Sequence, residues 1–539
     1  MTEELPWWRE ATIYHIYPRS FQDSDDDGVG DLQGIINRLD YLNDGTEHSL
    51  GVDAIWLSPI YPSPLKDFGY DVSDFTDVDP TFGDLATFDR LVEEAHRRQV
   101  RVLIDFVLNH TSDRHPWFLD SRASATSARR DWYIWRDPAP DGGPPNNWNA
   151  VFGGPAWEFD AATGQYYLHS YLPEQPDLNW RNAEVVEAMG DVLRFWMRRG
   201  VDGFRLDAVG RIAKHPDLAD NPVNPAHVPG GPEPPFLIDH NYLHPDGTEM
   251  VRAIRRVLDE FPDRVAVGEV YAPLRELSHF YGAPALDGLH LMFNFQLIRK
   301  TPSAPFIPWN ASSVAAAILE AEEDLPSGTQ ACFALANHDV PRFITRHDAD
   351  GAGEQRARAG TLLLLGLRGT PCLYYGEELG MRDVPVPPGQ AVDPVGRDGA
   401  RTPMPWDGSP GRGFTEASPW LPFGPPAINV AAQRDDPESF LSLVRRAIHM
   451  RKGEASLRRG SLHTLRVVDD SVVVFTREAT GARPALVALN CASLQREIDV
   501  EPRFSRLLLA SASGVELVDA GHGARRWRLP ALSAAWFVH

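Results

Sequence analysis

No run of about 18 consecutive apolar residues occurs in the sequence, so no segment is expected to span a bilayer. The N-terminus, Met1 to Arg9, carries Glu3 and Glu4 and lacks a basic stretch leading into an apolar one, so it does not read as a signal peptide. Cysteine is scarce. Cys332, Cys372 and Cys491 are an odd number, widely separated in apolar or strand-like contexts, which points to reduced core residues and a cytoplasmic location. Basic residues are in deficit, 52 Lys and Arg against 75 Asp and Glu, for a formal charge of −23. Such a surface repels nucleic acid and anionic membranes and leaves a small neutral partner as the natural expectation, although solubility alone accounts for most of it.

With 43% apolar and 24% charged residues, the 539-residue chain has an ordinary globular composition and room for one large domain with smaller ones attached. Short β-rich runs recur at Thr12–Tyr17, Val52–Leu57, Val100–Phe106, Val201–Leu206, Val265–Val270, Leu291–Phe295, Cys332–Ala336 and Pro371–Tyr375. Amphipathic stretches such as Leu85–Arg98, Ala183–Arg199, Met250–Phe261 and Gln355–Leu367 lie between several of them. Strands alternating with helices predict parallel βαβ units, and eight such units predict an α/β fold closed into a (β/α)8 TIM barrel. The gap from Asn109 to Gly200 is too long for an ordinary connection. Residues 109–175, rich in Pro, Gly and aromatics, therefore read as a subdomain inserted after the third strand, with the barrel occupying 1–108 and 176–459. An irregular stretch at about 380–426 reads as a second excursion over the same barrel face. From 460 to 539 the pattern becomes alternating, with strands expected at Ser471–Phe475, Ala485–Asn490, Arg506–Ala510 and Ala534–Val538, as in a small antiparallel β-sandwich.

In such a barrel the chemistry gathers at the C-terminal ends of the strands. The third run is followed by Asn109-His110, the fourth ends in Arg205-Leu206-Asp207, and the fifth reaches Glu269. The seventh is followed by Asn337-His338-Asp339, and the eighth by Gly376-Glu377. Any one of these acids alone is more often a structural cap. Several converging on one axis, without Cys/His metal spacing, suit glycoside chemistry, which needs one carboxyl as acid/base and another as nucleophile. Arg205 lies two residues before Asp207, so both side chains should leave the strand on one face, and the guanidinium should keep Asp207 ionised.

The segments Asp105-Phe-Val-Leu-Asn-His110, Gly203-Phe-Arg-Leu-Asp207, Gly268-Glu269-Val270 and Ala336-Asn-His-Asp339 resemble, in order and spacing, the four signature regions of the α-amylase superfamily. Gln175-Pro-Asp-Leu-Asn-Trp180, Trp7-Trp8, Tyr14–Phe21 and Gly396–Trp406 resemble its α-glucosidase and oligo-1,6-glucosidase subgroup. The resemblance covers essentially the whole chain. It implies Asp207 as the nucleophile, Glu269 as the acid/base with a raised pKa, and Asp339 as the carboxylate that grips the sugar in its oxocarbenium-like state. Two such retaining carboxyls stand about 5–5.5 Å apart. It implies further that Asp67 and Arg397 close the non-reducing end and that Tyr70 forms a platform under the ring. His110 and His338 would hydrogen-bond sugar hydroxyls, with Phe152, Tyr171, Gln175 and Arg205 completing the pocket, Tyr171 standing where Phe is more usual. A plain core role for the aromatics is nearly as well supported.

Asp23-Ser-Asp25-Asp-Asp27-Gly-Val29-Gly-Asp31 spaces its carboxylates like the first part of a calcium loop, with glycines that permit a tight turn. Position twelve is Gly34 instead of the bidentate Glu, so it is no EF-hand, and composition alone reads as an acidic turn. The resemblance implies a structural Ca2+, or Mg2+, held by Asp23, Asp25, Asp27, the Val29 carbonyl and Asp31, and no organic cofactor.

The expected activity is exo-acting release of α-glucose from short α-glucosides by a monomer or weak homodimer. The alternatives are an oligo-1,6-glucosidase or a transferase or isomerase acting on isomaltose, sucrose or trehalose. In the subgroup the residue after the nucleophile tends to be Val for α-1,6 and Thr for α-1,4 linkages, whereas Ala208 fits neither habit and also occurs in transferring and isomerising relatives. A catalytically silent relative, such as an amino-acid-transporter heavy chain, is disfavoured by the intact Asp207, Glu269 and Asp339 set and by the missing membrane segment.

Overall fold

The computed structural model describes residues 5–228, 234–301, 304–518 and 525–539. Eight parallel strands close into a barrel: Ile13–Ile16, Ala54–Leu57, Arg101–Val107, Gly203–Asp207, Val265–Gly268, Leu291–Asn294, Ala331–Ala334 and Thr370–Tyr374. Each overlaps one of the eight expected runs, with ends displaced by a residue or two. The runs read as continuously apolar because both faces are covered. Alternate residues, including Ile13, Trp56, Leu103, Val267 and Phe293, fill the barrel interior. Their neighbours Tyr14, Ile55, Val102, Ala266 and Met292 join the larger core beneath the helices. On the fourth strand the inward positions are Gly203, Arg205 and Asp207, so the two-residue period that packs the barrel also delivers charge to its upper end.

The expected helices are present at Leu85–Arg97, Ala183–Arg198, Gly247–Leu258 and Gly353–Gly366. The first opens on Asp84, whose carboxylate accepts from the Thr87 amide, and the second on Asn182, which accepts from Glu184. Two further helices, Ala311–Glu323 and Phe440–Gly453, were not anticipated. In the first, small alanines on most sides leave little contrast between buried and exposed faces.

The segment 109–175 contains a helix, Pro116–Ala123, and a three-stranded antiparallel sheet of Trp135–Arg136, Trp157–Asp160 and Gln165–Leu168. Its two ends are joined by a bridge between His110 and Asp177, so the chain leaves and re-enters the barrel at one place. The stretch around 380–426 has little regular structure and is held by individual hydrogen bonds. Tyr374 and Tyr375 donate to the carbonyls of Ala400 and Thr402, and Trp406 donates to Phe21.

From Ser461 two antiparallel sheets face one another, one of five strands and one of three. Val474, Leu486, Ile498, Trp527 and Phe537 fill the space between them. Strands at Ser461–Val468, Arg496–Val500, Glu516–Val518 and Arg525–Leu529 join those expected. Charged cross-strand pairs, Glu497 with Arg528 and Asp499 with Arg526, mask their alternation in the sequence. Cys332, Cys372 and Cys491 are free thiols, the first two inside the barrel. Among the described residues no helix is long and apolar enough to cross a membrane.

Candidate active site

The third and fourth strands pair in register with Asp105 opposite Arg205 and Val107 opposite Asp207. This sets Asp105 beside Arg205, with Asp207 two residues further along on the same face. Arg205 Nη1 donates to Asp105 at 2.7 Å and to Asp207 at 2.6 Å, while Nη2 lies 2.6 Å from Glu269 Oε2. The fifth strand delivers Glu269 there because its amide bonds the Leu206 carbonyl at 3.0 Å. Ala208 follows with φ 49°, ψ 32°, turning the chain sharply after Asp207. A β-branched Val or Thr would be strained in that left-handed conformation.

Arg205 is 1% exposed and its single positive charge is divided among three acids. Burial pushes Asp105 up to about 6 against the pull of Arg205. Burial also pushes Asp207 well above the usual carboxylate range; Arg205 lowers it, but Glu269, Asp105 and Asp339 raise it again. Glu269 is raised chiefly by burial and then by Asp339, opposed by Arg205 and the Ala208 amide. Arg205 thus favours the ionised form of Asp207, with burial and the neighbouring acids acting against it. Asp207 and Glu269 lie against the same guanidinium, and the Glu269 charge adds to the rise of Asp207. Asp339 behaves oppositely. Burial disfavours its charge, but His338, Arg397 and Arg401 outweigh that and hold it below the usual range. The His338 imidazole is itself pushed down to about 3 by burial, so the arginines supply the positive charge.

Arg397 joins two distant loops. Its Nη2 meets Asp67 at 2.7 Å and its Nη1 meets Asp339 at 2.9 Å. Asp393, four residues before it, holds the same guanidinium at 2.6 Å. Asp67 sits in a loop organised by Asp71, whose carboxylate accepts from the amides of Lys66 and Asp67. Its side chain also accepts from Gln175 at 3.1 Å. Phe152 lies under Arg397, 5.4 Å from the guanidinium carbon, and packs edge-on against Tyr171.

Together these groups line a cavity of ≈ 410 Å3, a size suited to a small polar ligand. Asp67, Tyr70, His110, Phe152, Tyr171 and Arg397 are on its wall with Asp207, Glu269 and Asp339. His338, Gln175 and Arg205 stand behind the wall and not on it. His338 Nε2 is 2.7 Å from the Tyr70 hydroxyl and 3.3 Å from Asp339. Gln175 spans Asp67 and His110. These three orient the residues in front of them.

Several lining residues escaped the sequence reading: Val151, Val395, Arg211, Tyr242, Tyr271 and Arg299. For Arg211 and Tyr271 a signal existed, since they follow Asp207 by four residues and Glu269 by two. Tyr242 lies in the long, Pro-rich segment Ala213–Gly247 after the fourth strand, which is expected to line the leaving-group side without singling out a residue. Arg299 carried no signal, because the sequence leaves the path of its loop open.

In the acidic loop, Asp23, Asp25 and Asp27 bring carboxylate oxygens within 4.8 Å of one another. Asp31 is otherwise engaged. It caps the helix Leu32–Asn37 through the Gly34 amide and accepts from Ser24. It lies outside the convergent set, and Val29 contributes an amide bond to Asp27. The loop is seated on the 380–426 excursion, where a Cβ at Gly28, φ +92°, would lie 2.1 Å from the Ser418 carbonyl oxygen. The convergent oxygens suit a hard cation, and Asp25 is raised first by burial and then by Asp27, Asp31 and Asp23, the excess charge such an ion would offset.

The α-amylase catalytic-domain model matches residues 15–460. A probable α-glucosidase of Rhizobium meliloti (strain 1021) is 44% identical over 478 residues, covering 85% of this chain and 84% of its own. An oligo-1,6-glucosidase of Parageobacillus thermoglucosidasius is 37% identical over 510 residues, 88% of each chain. Among solved structures, the α-glucosyl transfer enzyme XgtA matches with a TM-score of 0.88 at 39% identity, over 99% of this chain and 100% of that one. The isomaltulose synthase of Erwinia rhapontici NX5 matches with a TM-score of 0.88 at 32% identity, over the same shares. Barrel, strand-end carboxylates and these similarities agree: the chain belongs to the α-amylase family.

Proposed function

We propose that this chain is an exo-acting, retaining α-glucosidase that releases glucose from the non-reducing end of short α-glucosides, with transfer to a second sugar as a side reaction. The observation that carries the reading is Asp207 and Glu269 bound to opposite ends of one guanidinium, in a pocket closed by the Asp67–Arg397 pair. Two carboxyls that share one guanidinium can hold one proton between them, one member serving as nucleophile and the other as acid. Asp207 Oδ attacks the anomeric carbon as Glu269 gives its proton to the departing glycosidic oxygen. In the second half, Glu269 takes a proton from water, which attacks the same carbon from the vacated face as the bond from that carbon to Asp207 breaks, returning α-glucose and the Asp207 carboxylate. Asp339, kept ionised, accepts from the sugar hydroxyls as positive charge builds on the ring.

Hydrolysis of p-nitrophenyl α-glucoside, followed by NMR of the first product, tests this. α-Glucose should accumulate before mutarotation, and initial β-glucose would exclude retention. The solved structures named above support a second reading, transfer or isomerisation, since those proteins include a glucosyl transfer enzyme and an isomaltulose synthase. A product profile over maltose, isomaltose, sucrose and trehalose separates the two readings.

The reading extends to a structural divalent cation, Ca2+ or Mg2+, held by Asp23, Asp25 and Asp27 outside the sugar pocket. It would pin the first barrel loop to the 380–426 excursion, which also carries Arg397. An ion that binds only the native state stabilises it by mass action, about 2.7 kcal/mol at a hundredfold excess over Kd. Chelation should lower the melting temperature by several degrees while activity at low temperature changes little. Protein purified without chelators that contains no divalent ion would exclude the site. Small glucosides are the proposed partners, with neither nucleic acid nor membrane.

A further inference from the structure

On the side of the cavity away from the Asp67–Arg397 closure, four side chains form one continuous array. Arg211 lies over the Tyr242 ring at 4.9 Å, and Arg299 lies over the Tyr271 ring at 5.0 Å. The two tyrosines are joined, since the Tyr242 hydroxyl donates to the Tyr271 carbonyl and accepts from its amide, each at 3.1 Å. The barrel order places this array. Asp67 follows the second strand and Arg397 the eighth, and these two flank the first. Arg211 and Tyr242 follow the fourth, Tyr271 the fifth and Arg299 the sixth, which are consecutive and lie across the barrel. The array therefore faces whatever occupies the pocket beyond the terminal glucose.

Among the described residues neither arginine meets a carboxylate. Arg211 has a carbonyl partner, Asn241 at 3.3 Å, and the Nε of Arg299 is buried without any partner. In a chain with 75 acidic and 52 basic side chains, two guanidiniums left unpaired on one pocket wall need an account. The pocket's acids do not supply it. Asp207 and Glu269 are held by Arg205, and Asp67 and Asp339 by Arg397. The charges that bear most on Asp207 and Glu269 are those of Arg205 and the neighbouring acids, not Arg211 or Arg299.

We propose that the Arg211–Tyr242–Tyr271–Arg299 array is a subsite for an anionic hydroxyl compound, bearing a carboxylate or a phosphate monoester, that accepts glucose from the enzyme or leaves from it. The tyrosine rings, Tyr271 itself stacked on Phe295 at 4.2 Å, hold the guanidiniums at the pocket wall, and the guanidiniums take the anion in charge-assisted hydrogen bonds. The inference rests on the glucosidase reading above. In transfer, the acceptor hydroxyl oxygen forms a bond to the anomeric carbon as the bond from that carbon to Asp207 breaks. The hydroxyl proton passes to the Glu269 carboxylate, leaving Asp207 ionised, with no oxidant or further reactant.

The test is competition between matched acceptors, glycerate and glycerol phosphate against glycerol at equal concentration, with maltose as donor. The readout is the ratio of charged to neutral transfer product. Because both products draw on one glucosyl-enzyme, the ratio is independent of how fast that species forms. At least one anionic acceptor should exceed glycerol by roughly tenfold, the scale of one charge-assisted hydrogen bond, and which one does identifies the anion. Arg299→Gln and Arg211→Gln should each bring the ratio toward one, Arg299→Lys should retain most of it, and high salt should reduce it. A wild-type ratio at or below one, or a ratio that neither Gln variant moves, overturns the subsite while leaving the glucosidase reading intact. Absence of any glucose release from maltose or p-nitrophenyl α-glucoside overturns both.

Discussion

Asp207→Asn and Glu269→Gln should each lower kcat on maltose by roughly 10^4-fold with the fold intact, because the two groups act as a unit whose loss is not shared out among bystanders. Neither substitution empties much volume, and each keeps an oxygen that can accept from Arg205. Far-UV circular dichroism and the melting temperature should therefore change little. The two variants separate by pH. The wild-type kcat/KM should fall on the basic side as Glu269 loses its proton, and burial places that limb above the ordinary glutamate value of about 4.3. Glu269→Gln should erase the basic limb from whatever activity is left, and should retain most on substrates whose leaving group needs no proton. Asp207→Asn should be equally poor on every leaving group. Either variant keeping a tenth of wild-type activity on maltose would remove its residue from the assignment.

Arg397→Ala should be nearly as damaging, by a different route. This guanidinium touches Asp67, Asp339 and Asp393 at once, so its removal leaves three acids of which Arg401 still pairs with Asp339 and Asp393, while among the described residues Asp67 keeps no ion-pair partner. Truncating one partner of a buried pair costs about 3–5 kcal/mol, largely because the other charge is left uncompensated. Part of that cost should appear as a raised pKa for Asp339, which Arg397 helps to depress, so activity should now be lost at a higher pH as conditions are acidified. The rest should appear as weaker binding of the terminal glucose, a rise in KM of tenfold or more on the same arithmetic. In the proposed reading the pair closes the pocket end, and an internal glucose carrying a chain at that end would face polar groups it cannot satisfy. The wild-type enzyme should thus release only glucose from maltoheptaose at early times, as followed by NMR. Early maltotriose or maltotetraose without matching glucose would show that the end is open.

Much of the candidate site was legible because it lies within short spans. Asp207, Glu269 and Asp339 sit at strand ends, and Arg205 and Asp207 share a face by the two-residue period of a strand. The Asp67–Arg397 contact, although it joins loops far apart in the chain, was carried by family resemblance and not by periodicity. Other assignments shifted in the structure. His338 and Gln175 carry the right residue types but sit one layer behind the cavity surface. Asp31 has a ligand's spacing, yet it begins a helix at Leu32 and gives its oxygens to amides and a hydroxyl there.

Eight short apolar runs alternating with amphipathic stretches were enough to indicate a closed parallel barrel with acids at its strand ends. The family resemblance singled out Asp207, Glu269 and Asp339 among them. Side-chain direction along a strand is a local property, so a linear pattern encodes it. The protonation of those acids was decided only in three dimensions. It depends on one guanidinium being divided among Asp105, Asp207 and Glu269, and on how completely the barrel excludes water around them. The Arg211–Tyr242–Tyr271–Arg299 wall likewise exists only because three consecutive barrel strands place their following loops side by side. Electrostatic energies vary with distance and dielectric between groups remote in the chain, and no local period carries either quantity.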